Sequence, residues 1–244
     1  MSQYNFGIGT LIAKRTDVTY PKPAFMGVIQ DVEVNFDREL KTLVGQYNVA
    51  EAIAGGELKI TAKAKFARIQ ANLLGDVYLN TTPATGQTIM AQGEVKPIVA
   101  NAITVAEAAT FVEDLGVFDS SGVQLTPVAS APAVGQYSVS AGVYTFNAGQ
   151  TAGNYTIYYD YTKTTGYTNT LAKQLMGSLP TFALFLESDF SQFGVSKKLF
   201  LKLNAVVCGK LAMPFKNKDF TIQDLDMQAF CDASGNWGSI STTE

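Results

Sequence analysis

The chain contains no histidine. That excludes Ser-His-Asp and Cys-His catalysis and every metal site built on imidazole. Cysteine is nearly as scarce. Cys208 and Cys231 are the two in 244 residues, and they show neither CxxC nor metal-ligand spacing. Two free thiols fit a reducing compartment, although spacing alone leaves a Cys208–Cys231 bridge open. Neither GxGxxG nor GxxxxGKS/T occurs, so both nucleotide signatures are missing. Charged residues make up only 16%, with a net charge of −3, which predicts no sequence-wide attraction to nucleic acid. No run approaches the ~18 apolar residues that a membrane span needs. MSQYNFGIG has no basic segment ahead of an apolar one, so no secretory leader is expected.

What the chain does have is Gly, Thr, Ser and aromatic residues, a composition that suits an all-β protein. Its length fits one large or two small domains and allows a substantial core. The most informative stretch runs from Phe25 to Phe66. On its first arm Val32, Val34 and Phe36 alternate with Asp31, Glu33, Asn35 and Asp37. On the returning arm Leu58, Ile60, Ala62, Ala64 and Phe66 alternate with Lys59, Thr61, Lys63 and Lys65. A period of two predicts two half-buried strands, each with one face on a core. At ~3.3 Å per residue, an arm from Val28 to about Leu40 spans roughly 40 Å, longer than most strands. Pairing the arms sets carboxylates opposite ammonium groups, which supports the pairing by a few tenths of a kcal/mol per contact.

The tip, Thr42 to Gly56, reads TLVGQYNVAEAIAGG. Hairpin loops are usually short and polar, yet this one carries Leu43, Val44, Tyr47, Val49 and Ile53. Two readings are open. The tip folds back on its own domain, or it lies on another copy of the protein, because an exposed apolar patch marks a contact surface.

The remaining chain divides by pattern. Residues 1–24 read as an arm with a short strand at Gly9–Ala13 and an extended TDVTYPKPAF, where Pro21 and Pro23 disfavour helix. Ile69, Leu73 and Val77 at a spacing of four predict a short amphipathic helix from about Ala67 to Tyr78. Gly75 weakens its last turn and Thr81-Thr82-Pro83 ends it, so the helical segment occupies 67–80. Thr88–Ala91 and Glu94–Thr104 read as extended, with Pro97 arguing for an edge; residues 106–111 are ambiguous. Short strands separated by turn residues then form a β-meander over about 112–165, an insertion in a domain that covers the whole of 1–244. Its Tyr155, Ile157, Tyr159 and Tyr161 fit ordinary β propensity or a stacking platform for sugars or bases. Alternation returns at Phe182–Glu187, Lys198–Val207 and Asp224–Ala229, giving closing strands and a C-terminal tail over 166–244.

Candidate chemistry is sparse. Asp224 and Asp226 share a strand face, which a half-buried strand explains as well as a carboxylate pair does. Asp232 in DASGN lacks the ligand register of a calcium loop and the closing glutamate. The same Asp-x-Ser-Gly pattern at Asp119–Gly122 points to turn chemistry. Cys208 sits in an apolar pattern, as a small buried hydrophobe does. No catalytic constellation emerges, and neither an enzyme nor a cofactor or metal is expected.

The block PAFMGVIQDVEVNFDRELKTLVGQYNVAEAIAGGELKITAKAKFARI resembles the N-terminal half of bacteriophage tail tube (major tail) proteins. LDMQAFCDASGNWGSISTTE is similar to their closing segment, and FGIGTL to their N-terminal arm. DLGVFDSSGVQLTPV and GQYSVSAGVYTF resemble a β-rich segment common in phage structural proteins. The resemblance implies a β-sandwich or partial barrel with one short flanking helix. Copies would form rings, usually hexameric, stacked into a tube whose lumen is a continuous β-barrel for DNA passage. It implies a virion tail component assembled in the host cytoplasm, with sheath, tail terminator and baseplate proteins as further partners, and no membrane. The family's long hairpin loop matches Thr42–Gly56 and reaches neighbouring subunits. Family lumens are acidic; here Asp31, Glu33 and Asp37 supply acid, and Lys59, Lys63 and Lys65 offset it if both arms line the lumen. Two other readings stand beside it: a β-sandwich glycan- or receptor-binding module gripping through Tyr155–Tyr161, as a fibre or adhesin does, and the tube subunit of a related tailocin or secretion system.

Overall fold

Alternation along the chain becomes strand almost everywhere. The computed structural model describes residues 7, 9–19, 21–68, 70–150, 152–192 and 195–243. The first six residues, Ile8, Tyr20, Ile69 and Glu244, which fall in segments used above, lie outside the described residues. Strands run β1 Thr10–Arg15, β2 Ala24–Phe25, β3 Ile29–Val44, β4 Ala50–Phe66, β5 Ala84–Pro97, β6 Ala102–Thr104, β7 Phe111–Phe118 and β8 Thr126–Pro127. They continue as β9 Gln136–Ser140, β10 Val143–Phe146, β11 Asn154–Thr168, β12 Phe182–Gln192, β13 Val195–Ala212, β14 Gln223–Phe230 and β15 Gly238–Thr242. The protein is mainly β, with its strands in three sheets, and the chain divides into two compact units: Met1–Pro83 with Asn169–Glu244, and Ala84–Thr168.

The first unit is built on an eight-stranded sheet in the order β2-β1-β12-β13-β14-β4-β3, with β15 along part of β13. Its neighbours are all antiparallel. One face is apolar because the inward positions of successive strands fall in rows: Phe36, Ile60, Ala229 and Val206 make one, and Val34, Ala62, Met227 and Cys208 the next. Leu73 and Val77, both buried, cap that face from a helical segment.

That segment differs from the expected helix over 67–80. It consists of one α-turn, Ala71–Leu74 (α1), continued by a π-helical turn, Gly75–Leu79. Gly75 is needed at the junction, since a Cβ there would stand 2.3 Å from the Thr81 carbonyl oxygen. Asn80, at φ 50°, then ends the turn in the left-handed region that Asn tolerates better than most residues.

β13 also departs from simple alternation. Its register against β12 shifts between Leu203 and Val206. Val206 and Cys208 therefore point into the core, and Val207 between them is only half-buried.

The second unit begins at Ala84, well before the 112–165 meander, because β5 is its longest partner strand: β11 pairs with β5 from Asn154↔Pro97 to Thr168↔Ala84. β5 is an edge strand, as Pro97 requires, in the order β5-β11-β7. The other sheet runs β6-β10-β9-β8, where β8 and β9 are parallel. The ambiguous residues before β7 form a 3-10 turn, Ala108–Thr110. One apolar cluster draws on both sheets of this unit: Val117, Tyr155, Ile157 and Tyr159 meet Ile103, Tyr137, Tyr144 and Phe146.

Candidate assembly surface

β3 and β4 pair far beyond the sheet that supports them. β14 accompanies β4 only from Phe66 back to Ile60, opposite Gln223 to Ala229. The β3–β4 ladder continues alone to Val44↔Ala50, so the expected loop over Thr42–Gly56 is mostly ribbon and only residues 45–49 form the turn. A register shift between Arg38↔Leu58 and Leu40↔Gly55 sets two β4 residues, Gly56 and Glu57, against the single Glu39 of β3. Such a bulge re-aims the strand beyond it. Ile53 thereby shares a face with Leu40 and Thr42, and that face continues the inward stripe of Val32, Val34 and Phe36.

Beyond the core neither face of the ribbon is covered by described residues of its own unit. Leu40, Leu43, Val44, Tyr47, Val49 and Ile53 are each between 57% and 69% exposed. The five tip residues singled out from the sequence thus stand free of the rest of the unit, and Leu40 joins them. The alternative that the tip folds back on its own domain does not hold, because the continuous ladder carries it outward. An isolated two-stranded ribbon is marginal in water on its own.

The opposite face of the same strands is a ladder of charge. Asp31 stands opposite Lys65, Glu33 opposite Lys63 and Asp37 opposite Lys59. The rows extend across β14, where Asp224 faces Lys65 and Asp226 faces Lys63, and onto β13, where Lys210 faces Asp226. Asp31 and Lys65 approach to 3.7 Å, and Lys210 and Asp226 to 3.6 Å. All six residues named as lumen candidates therefore share one face, with acid and base in alternating columns. Exposed pairs of this kind contribute about 0–1 kcal/mol each, so they set register more than stability. Asp224 and Asp226 each face a lysine across the sheet; they are members of this ladder.

Other sequence candidates fall into structural roles. Asp119 Oδ1 accepts the Ser121 and Val123 N–H groups at 2.8 and 2.9 Å, and Asp232 Oδ1 accepts those of Ser234 and Asn236, both at 2.9 Å. The recurring Asp-x-Ser-Gly pattern is the same turn built twice. Cys208 is buried and its thiol is pushed up to about 11 by that burial; Cys231 is exposed, and both are free. Among the described residues no group of three or more Cys, Asp or Glu is placed to hold a metal, and no helix is long and apolar enough to cross a membrane.

Tyr155 and Tyr159 lie in the core of the second unit, so within Tyr155–Tyr161 a stacking platform would be left with the partly exposed Tyr158 and Tyr161. The Tyr137 and Tyr144 hydroxyls both donate to the Asp114 carboxylate, and burial with this bonding pushes both phenols up. Tyr159 donates to Glu94 at 2.6 Å. These tyrosines tie the unit together.

An open groove of about 700 Å³ is lined by residues such as Arg15, Phe185, Lys202 and Asp232. Arg15 is held there by Asp17 at 2.6 Å and by Asn80 at 2.8 Å. Its guanidinium is committed to the fold.

Exposed apolar residues that the sequence patterns did not flag lie on the segment before β12 and the loop after β13. They include Leu171, Leu175, Met176, Phe215 and Phe220, each at least 78% exposed. Apolar residues in stretches without period-two alternation were the available signal. Compared with protein-family models and with curated proteins, the chain matches none.

Proposed function

We propose that this chain is a self-assembling structural subunit that polymerises as stacked rings into a phage-type tail tube, a conduit for DNA. One observation carries the reading: the β3–β4 ribbon extends outward with Leu40, Leu43, Val44, Tyr47, Val49 and Ile53 uncovered. Uncovered apolar side chains on a marginal ribbon favour a partner surface, and an assembly of identical copies supplies one.

Two further features support it. β3 is a sixteen-residue edge strand whose outer side pairs with nothing among the described residues. An edge of that length is an aggregation hazard unless another strand takes it. A tube answers both needs, since side-by-side contact covers edges and ring-on-ring contact repeats without closing. In this reading the charge ladder lines the lumen. Alternating acid and base there would present DNA with neither a strongly attractive nor a uniformly repulsive wall.

The test is electron microscopy of the purified protein at rising concentration. Long hollow filaments of constant diameter are expected. Discrete monomers at every concentration and ionic strength contradict the proposal.

A further inference from the structure

We propose that the seam between adjacent copies joins the outer edge of β3 in one copy to the edge of β13 from Val207 to Ala212 in the next, with the acid column of β3 set against Lys210. This rests on the tube reading and adds which two edges meet and what selects them.

Among the described residues neither edge has a strand partner there, although Tyr78, Leu79, Leu171 and Leu179 line a groove together with Val207, Cys208 and Gly209. β12 accompanies β13 only as far as Phe182↔Val206. From Val207 onward, among the described residues, β13 is paired on one side only, by β14. Among the described residues β3 is paired only by β4. Strand direction agrees as well. The contacts β13–β14, β14–β4 and β4–β3 are each antiparallel, so β3 runs opposite to β13. A copy related by rotation about a ring axis therefore offers β3 antiparallel to the open part of β13, which extends the pattern of the sheet.

Charge selects this pairing over its competitors. Across one copy the row reads Lys210, Asp226, Lys63, Glu33. Glu33 of the next copy beside Lys210 continues base, acid, base, acid without a break. Joining β3 to β3 about a two-fold axis would instead set acid against acid in a register such as Asp31 opposite Glu39 with Glu33 opposite Asp37, a like-charge contact that opposes pairing. The other terminal strand of this sheet, β2, is two residues long and follows Pro21 and Pro23, which lack the N–H groups a ladder needs. Lys210 is 61% exposed and reachable. Without a closed dimer the contact is heterologous, as a ring requires.

The test is a cysteine pair, E33C with K210C, in a C231S background, oxidised under conditions in which the wild type forms filaments. Directly opposed residues of an antiparallel pair lie about 4.5–5.5 Å apart at Cα, within disulfide reach. The expected result is a ladder of covalent oligomers on a non-reducing gel, absent from either single variant. K210E should cut the assembled fraction at least tenfold, and K210R should keep it. Filaments that form without any 33–210 cross-link overturn the seam and leave the tube reading intact. Protein that stays monomeric, in the wild type as well as the variants, overturns the tube reading and the seam together.

Discussion

Val34 and Leu40 lie on the same face of β3, yet Val34 packs against the core while Leu40 is 64% exposed. The strand pattern that builds the interior runs on past the end of that interior. Replacing Leu43, Tyr47 and Ile53 with Asp therefore should leave the subunit folded and abolish filaments. Because all three are exposed, each change should move stability by no more than about 0.5 kcal/mol. Thermal unfolding beside electron microscopy separates the two effects. A large drop in melting temperature would mean that the tip supports its own subunit.

The contrasting variant is Phe66→Ala. Phe66 is fully buried, opposite Ile29 on one side and Gln223 on the other. Its removal leaves a cavity at the root of the hairpin and should cost about 3–5 kcal/mol. Urea unfolding measures this directly. A cost below about 1 kcal/mol would show that the first unit does not depend on packing at that point.

The second unit should respond to pH through Glu94. This carboxylate takes the Tyr159 hydroxyl and the Lys96 ammonium, each at 2.6 Å, and the Ala106 N–H at 2.9 Å. Burial alone would raise its pKa, but these bonds outweigh burial and hold it below the ordinary 4.5. A depressed folded value means the stabilisation is present above 4.5 and is lost as pH falls through the depressed value. The Tyr159 phenol is pushed up to about 12 by burial and by its bond to Glu94. Its contribution is therefore full below pH 10 and lost as pH rises toward 12. Melting temperature of the wild type should fall more steeply between about pH 5 and 3 than that of Glu94→Gln. Parallel profiles for the two would contradict the assignment.

Excision offers a cleaner separation. Thr168 pairs with Ala84, so the two ends of the second unit meet. Replacing Ala84–Thr168 by a short Gly-Ser link between Pro83 and Asn169 should yield a folded first unit, since its core draws on no residue of the removed part. Circular dichroism and filament formation by the shortened chain check this. An unfolded product would show that the two units are not independent.

The sequence made the hairpin legible because both arms are half-buried near their base, so Val32–Phe36 and Ile60–Phe66 record their faces in plain alternation. It also placed the charged face, since Asp31, Glu33, Asp37 and the three lysines needed only pairing to come together. The bulge at Gly56–Glu57, the register shift before Val206 and the π-turn at Gly75 were not legible. Each adds or shifts a residue through a backbone contact that side-chain periodicity does not encode. Lys210 was missed for the same reason, as its place in the charge ladder follows a second shift at Gly209. Alternation likewise does not say which face looks inward. Tyr155 and Tyr159 are core, while Tyr158 between them faces out.

In a tube subunit the ribbon stands free in a single copy and is covered by other copies once they assemble. Amide hydrogen exchange over Leu40–Ile53, in dilute subunits and in assembled protein, measures this most directly. Fast exchange in the dilute subunit and strong protection after assembly are predicted. Equal protection in both states would contradict the account.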